Sequence, residues 1–131
     1  MGYITVLVAA AAAFLLGAVW YMLLRDAWLK ASGVETDENG RPAGGNTPMP
    51  YIVAAICLIL VSGMMRHIFA QAGIDTPSKG LLSGLGVGLF MVLPWIVINN
   101  TYGMRPRALS LIDGGYAAIG CAVIGLVLTI L

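Results

Sequence analysis

Four long apolar runs limit what this chain of 131 residues can fold into. They cover residues 3–24, 50–69, 80–102 and 115–131. Each run is close to the roughly 20 residues that a helix needs to cross the hydrocarbon core of a bilayer. Because backbone N–H and C=O groups cannot stay unpaired in lipid, all four runs should be helical. The sequence predicts one all-α domain over residues 1–131, an integral membrane four-helix bundle with a polar loop at residues 25–49.

The composition excludes several classes of protein. Apolar residues make up 60% of the chain and charged residues 10%, whereas a typical soluble domain is about 25% charged. A soluble enzyme is therefore not expected. With seven basic and six acidic side chains, the chain has no basic surface for nucleic acid. The expected partners are membrane lipids, other membrane subunits or further copies of the chain, and no nucleic acid.

The segments around the first polar loop have distinct patterns. Residues 3–24 lack a preceding basic stretch and are long enough to span, so we expect a retained helix and not a removable signal peptide. Residues 25–30 fit a short interfacial helix with Trp28 and Leu29 in the headgroup layer. Gly33 is placed to end that helix.

Basic residues in the loops predict the orientation, since Lys and Arg favour the cytoplasmic side. The first and third loops contain five: Arg25, Lys30, Arg41, Arg105 and Arg107. The second loop and both termini contain only two, Arg66 and Lys79. This difference predicts a multi-pass protein with both termini on the non-cytoplasmic side. Five aromatic side chains would then gather at the cytoplasmic interface: Trp20, Tyr21, Trp28, Tyr51 and Tyr102.

Small residues recur every four positions in three of the runs, where they allow helices to approach closely. The rows are Ala9, Ala13 and Gly17, then Gly80, Gly84 and Gly88, and finally Ala117, Cys121 and Gly125. They can pack inside one bundle or form a dimerisation face between subunits. Pro94 removes a hydrogen bond to the carbonyl of Phe90, so a kink is expected there.

Ionisable residues are absent from the central thirds of the four runs. This absence disfavours a proton-coupled exporter of the small four-helix drug-resistance type, which needs a carboxylate deep in its first helix. It also disfavours a metal or haem protein, because His67 is the single histidine. Cys57 and Cys121 lie alone in apolar runs, which disfavours thiol–disulfide chemistry. No cofactor and no catalytic residue is expected.

Polar residues concentrate between the third and fourth runs. Asn99 and Asn100 place amides at the end of a membrane helix, where one of them should bond a neighbouring helix. Arg105 and Arg107 provide guanidinium groups for a lipid phosphate or an acidic partner. Asp113 precedes two glycines and either caps the fourth helix or pairs with an arginine. Together with Tyr102, these residues form the candidate contact site for lipid or a partner, and a structural hairpin is the simpler interpretation.

The sequence resembles the domain of unknown function 1761 family. The resemblance rests on Gly17-Ala-Val-Trp-Tyr21, Asp26-Ala-Trp28, Asn100, Arg105-Pro-Arg107 and Asp113-Gly-Gly-Tyr116. It implies a small four-span protein of the bacterial inner membrane. It implies no activity, because the family has none established.

Three functions fit this description. The first is a non-catalytic accessory or structural subunit that packs against a larger membrane complex or against itself, since there are more small-residue rows than one bundle needs. The second is a small oligomeric transporter or channel for a neutral or weakly selected solute, with Pro94, Asn99 and Asn100 at its mouth. The third is a protein that binds anionic lipid at the interface, where it would use Arg105, Arg107, Asp113 and Tyr102.

Overall fold

The computed structural model describes residues 2–40 and 47–131, and its fold is all-α. In chain order the helices are α1 (Gly2–Leu23), α2 (Arg25–Ser32), α3 (Met49–Ala72), α4 (Pro77–Val87), a π-helical turn (Gly88–Val92), α5 (Leu93–Tyr102) and α6 (Arg107–Ile130). Arg41, which the count of basic residues includes, lies outside the described residues, as do residues 42–46 of the polar loop.

Within the described residues, four segments are long and apolar enough to cross a membrane. They are Gly2–Leu23, Met49–Ala72, Pro77–Tyr102 and Arg107–Ile130. At 22 to 26 residues, each is about 33 to 39 Å long, enough to cross the hydrocarbon core with some tilt. The predicted fold class, an all-α bundle of four long apolar helices, is confirmed.

The last span begins eight residues before the apolar run at 115–131, because α6 starts at Arg107. Pro106 precedes it in an extended conformation, with φ −66° and ψ 154°. The added turns contain Leu109 and Ile112, which are buried in one cluster with Ala31 of α2. This stretch is therefore held as helix by packing, although its polar side chains lower its hydropathy.

The short helix expected after the first span is α2, and Gly33 follows its last turn with a φ of 69°. That left-handed conformation favours glycine, which has no Cβ to clash. Leu24 and Trp28 pack against the cluster at the start of α6. Trp28 is thus half-buried within the protein and does not lie only among lipid headgroups.

Helices α4 and α6 approach until their backbones touch. A β-carbon at Gly84 would overlap the carbonyl of Cys121, and one at Gly80 would overlap the carbonyl of Gly125. Gly88 lies in the same way against Ala117. The small-residue rows of the third and fourth runs therefore face each other within one chain.

Helix α6 is at the centre of the bundle and contacts α1, α2, α3, α4 and α5. In α1 the buried residues Ala9, Ala13 and Gly17 face inward. In α3 the buried residues are Ser62, Met65 and Phe69, all in its second half. Because the first half of α3 buries none of its residues, a groove opens between that half and the second half of α1.

Pro94 is accommodated by the π-helical turn directly before it. The backbone N–H of Leu93 donates to the carbonyl of Gly88, five residues earlier. A π-turn adds a residue to the helix and so absorbs a break in the ordinary hydrogen-bond ladder. The span continues without interruption into α5.

We expect Gly84→Ala to lower the free energy of unfolding by about 1–3 kcal/mol, the usual cost of overpacking. The added methyl group would meet backbone, which cannot rotate away as a flexible side chain can. The measurement is reversible unfolding in mixed micelles with increasing sodium dodecyl sulfate, followed by circular dichroism.

Gly86→Ala is the matched control, since a β-carbon there meets no atom within 4 Å. Its stability should be unchanged or slightly higher, because alanine is the better helix former. Equal stability of the two variants would contradict the close contact between α4 and α6.

Candidate functional site

The main polar contact inside the bundle joins the last turns of α1 to the second turn of α6. The hydroxyl of Tyr21 donates a hydrogen bond to Oδ1 of Asp113 over 2.7 Å, between residues 92 positions apart in the chain. Both side chains are half-buried. Partial burial makes this contact stronger than a solvent-exposed one and makes the loss of either partner costly.

The residues that surround this pair hold α1 and α6 in register. The indole Nε1 of Trp20 donates to the carbonyl of Ile112 over 2.9 Å. The hydroxyl of Tyr116 donates to the carbonyl of Ala13 over 2.7 Å. Two backbone carbonyls inside an apolar bundle thus receive a second hydrogen bond from an aromatic side chain.

Three glycines make room for these rings and for α5. A side chain at Gly17 would collide with the ring of Tyr116, and one at Gly115 would collide with Trp20. Gly114 faces Leu93 in the same manner. The segments 17–21 and 113–116, which carry the family resemblance, therefore form one three-dimensional unit.

A groove of about 890 Å³ lies beside this unit, between α1, α2 and α3. Its walls include Phe14, Ala18 and Tyr21 from α1, Trp28 from α2, and Tyr51, Ala54 and Leu58 from α3. Asp113 and Tyr116 of α6 reach it from the centre of the bundle. Among the described residues that line the groove, Asp113 is the one charged side chain, so the site is apolar with a single acidic group.

The predicted role of Asp113 as a helix cap is wrong. It lies six residues inside α6, about 9 Å beyond Arg107 at 1.5 Å per residue. The alternative prediction, an ion pair with an arginine, is also wrong for the described residues, where the one ion pair joins Lys79 to Asp75 at 3.8 Å. The carboxylate is directed into the bundle because Tyr21 lies opposite it.

The other candidate contact residues are divided among separate places. Asn100 donates through Nδ2 to the hydroxyl of Ser110 over 3.1 Å and so joins α5 to α6. The guanidinium of Arg105 donates to the carbonyl of Ser32 over 2.7 Å and so holds the end of α2. Asn99, Tyr102 and Arg107 are exposed. A lipid or partner contact at these exposed positions stays a prediction.

The described part of the chain holds its potential metal-ligating and thiol side chains in separate places. It contains no group of three or more His, Cys, Asp or Glu side chains placed to hold a metal ion. Cys57 is exposed and Cys121 is buried against α4, and neither forms a disulfide. His67 is exposed in the second half of α3, away from the groove.

Sequence reasoning missed two residues of the groove, Phe14 and Tyr51. Their ring centroids lie 6.5 Å apart across the gap between α1 and α3. Nothing in the pattern distinguishes them from aromatic side chains that face lipid. The pairing of Tyr21 with Asp113 had one sequence indication, since both belong to the segments that carry the family resemblance.

The fold and the site together define the class: an all-α multi-pass membrane protein with an apolar groove that one carboxylate lines. The chain belongs to the family described as a protein of unknown function (DUF1761), whose model matches residues 4–129. This match confirms the resemblance found in the sequence. No curated protein and no solved structure matches the chain.

We expect Tyr21→Phe to lower the free energy of unfolding by about 0.5–2 kcal/mol, because the carboxylate of Asp113 would lose its donor inside the bundle. The same titration with sodium dodecyl sulfate measures this change. Tyr102→Phe removes a hydroxyl from a residue that is 87% exposed and should leave stability unchanged. Equal effects of the two substitutions would contradict the role of the buried contact.

Proposed function

We propose that this protein binds a small amphipathic molecule, drawn from the membrane, in the groove between α1 and α3, without catalysing its conversion. The observation that carries the proposal is the combination of an apolar groove with one polar anchor, Asp113 hydrogen-bonded by Tyr21. Apolar walls with a few fixed polar groups are typical of small-molecule sites.

The dimensions of the groove support the proposal. Its volume of about 890 Å³ lies within the roughly 300–1,000 Å³ usual for pockets that hold drug-sized ligands. It lies between α1 and α3, two helices long and apolar enough to cross a membrane, so a molecule dissolved in lipid would enter between them. A polar head beside Asp113 and an apolar tail between Ala18 and Ala54 would match the two kinds of lining.

We favour binding over catalysis because of the chemistry of the lining. Acyl or phosphoryl transfer needs a nucleophile beside a general base. The described lining residues offer a carboxylate and phenols, with no serine, cysteine, histidine or lysine among them. Ser110 is instead hydrogen-bonded to Asn100.

Two of the functions proposed from the sequence have weaker support. The accessory-subunit hypothesis requires a row of small residues that is free to pack against a partner, but all three rows pack within the chain. The channel hypothesis requires Asn99 and Asn100 at the mouth of a pore, and neither residue lines the groove.

We place the groove in the cytoplasmic leaflet of a bacterial inner membrane, with both termini on the opposite side, because the charge distribution favours that orientation.

The test uses a neutral alkyl alcohol that carries a photoreactive diazirine in its tail, added to the protein in nanodiscs. Irradiation followed by peptide mass spectrometry should locate crosslinks on the facing sides of α1 and α3. Excess unlabelled alcohol should suppress these crosslinks, since a binding site saturates and bulk lipid does not.

Ala54→Trp should remove the saturable crosslinks, because a large side chain would fill the groove beside Leu58. The control is Ile56→Trp, two residues along the same helix, where the side chain is 54% exposed and does not line the groove. Labelling that never saturates, or that survives Ala54→Trp unchanged, would overturn the proposal.

A further inference from the structure

Aromatic side chains are concentrated around the groove. Five of the thirteen described lining residues are aromatic, whereas aromatic residues make up 8% of the chain. They are Phe14, Tyr21, Trp28, Tyr51 and Tyr116. The negative faces of such rings attract cations, and rings arranged around one site are the usual means of binding quaternary ammonium groups.

Three of these rings contact one another. The ring of Tyr21 meets the ring of Trp28 edge to face at 6.3 Å, and it meets the ring of Tyr116 in the same way at 5.5 Å. The edge-to-face arrangement is a favourable one for aromatic pairs. The three rings therefore form a continuous aromatic wall close to the carboxylate of Asp113.

The carboxylate has acceptor capacity that the protein does not use. A carboxylate offers about four lone-pair positions, and Tyr21 is the one described donor to Asp113. No basic side chain in the described residues lies within 4 Å of it. A charged group in apolar surroundings is costly without an opposite charge nearby, so a cation in the groove would be stabilised there.

The basic residues on the segments around the groove do not neutralise this charge, and the guanidinium of Arg105 donates to the carbonyl of Ser32. On α2, Arg25 donates to the carbonyl of Gly40 over 3.1 Å, and Lys30 is exposed. Arg107 is exposed at the start of α6. The described parts of α1 and the first half of α3 contain no charged residue at all.

We propose that the ligand of this groove is a single-tailed amphiphile with one amine or quaternary ammonium group, held by Asp113 and the surrounding aromatic rings. This inference rests on the proposed binding function and names its ligand class. The cationic head would lie between Asp113 and the wall of Tyr21, Trp28 and Tyr116. A zwitterionic phospholipid is a poorer match, since no described basic side chain lines the groove to pair with its phosphate.

The experiment compares two diazirine probes with the same tail, an alkyl alcohol and an alkyltrimethylammonium, in nanodiscs of a neutral galactolipid. Each probe is competed by its unlabelled form, and concentrations are expressed per lipid so that partitioning does not affect the comparison. We expect half-maximal competition by the cation at about tenfold lower concentration, the sum of a charge contact and a cation–π contribution.

Asp113→Asn keeps the shape of the side chain and should make the two probes equal. Asp75→Asn is the control, since Asp75 is an exposed carboxylate paired with Lys79 outside the groove; it should keep the tenfold preference. Tyr51→Leu provides a second variant that does not disturb the buried pair. It removes one of the five aromatic rings of the groove and should reduce the preference for the cation over the alcohol severalfold.

The possible results distinguish a failure of the cationic-ligand inference from a failure of the proposed binding function. Equal competition by both probes in the unmodified protein, or a preference that survives Asp113→Asn, would overturn the cationic ligand and leave groove binding intact. Absence of saturable labelling by either probe would overturn both. Cation labelling that disappears in phosphatidylcholine nanodiscs would identify a lipid headgroup as the occupant and would overturn the free amphiphile.

Discussion

The structure depends on how closely α6 can approach its neighbours. In lipid there is no hydrophobic drive to bring apolar helices together, so their association needs close packing and internal hydrogen bonds. Glycines supply the packing on two sides of α6, where Gly84 lies on the Cys121 carbonyl and Tyr116 fills the space above Gly17. With α6 fixed between α1 and α4, Asp113 is brought opposite Tyr21. The position of the carboxylate is thus a consequence of the backbone contacts along the rest of the helix.

The groove exists because α3 packs closely against the bundle along only its second half. Its second half is anchored by Ser62, Met65 and Phe69, while its first half buries no residue. If α3 packed against the bundle along its whole length, it would cover Asp113. A charged group would then be enclosed among apolar side chains, at a considerable cost in free energy. The divergence of α3 from α1 leaves that carboxylate accessible. In the proposed function, this gap between α1 and α3 is where the ligand binds.

The fold could be predicted from the sequence because a bilayer sets the length of a membrane-spanning helix, and four apolar runs are close to that length. Hydropathy could not place the start of α6, because residues 107–114 are too polar on average to extend the apolar run. They are helical because Leu109 and Ile112 pack against α2. That error led to Asp113 being interpreted as a cap. The pairing of Tyr21 with Asp113 joins positions 92 residues apart, and no local period carries such information. Asp113 lies outside the central third of its apolar run, yet its carboxylate faces Tyr21 inside the bundle.

The central claim is that Tyr21 and Asp113 meet inside the bundle when the protein is in a bilayer. Solid-state NMR of protein labelled with ¹³C at tyrosine and aspartate, in liposomes, measures this contact directly as a cross-peak between the ring carbon that bears the hydroxyl and the carboxyl carbon. The structure predicts that cross-peak, and Tyr21→Phe should shift the Asp113 carboxyl resonance. Assigned signals from both residues without a cross-peak between them would contradict the account.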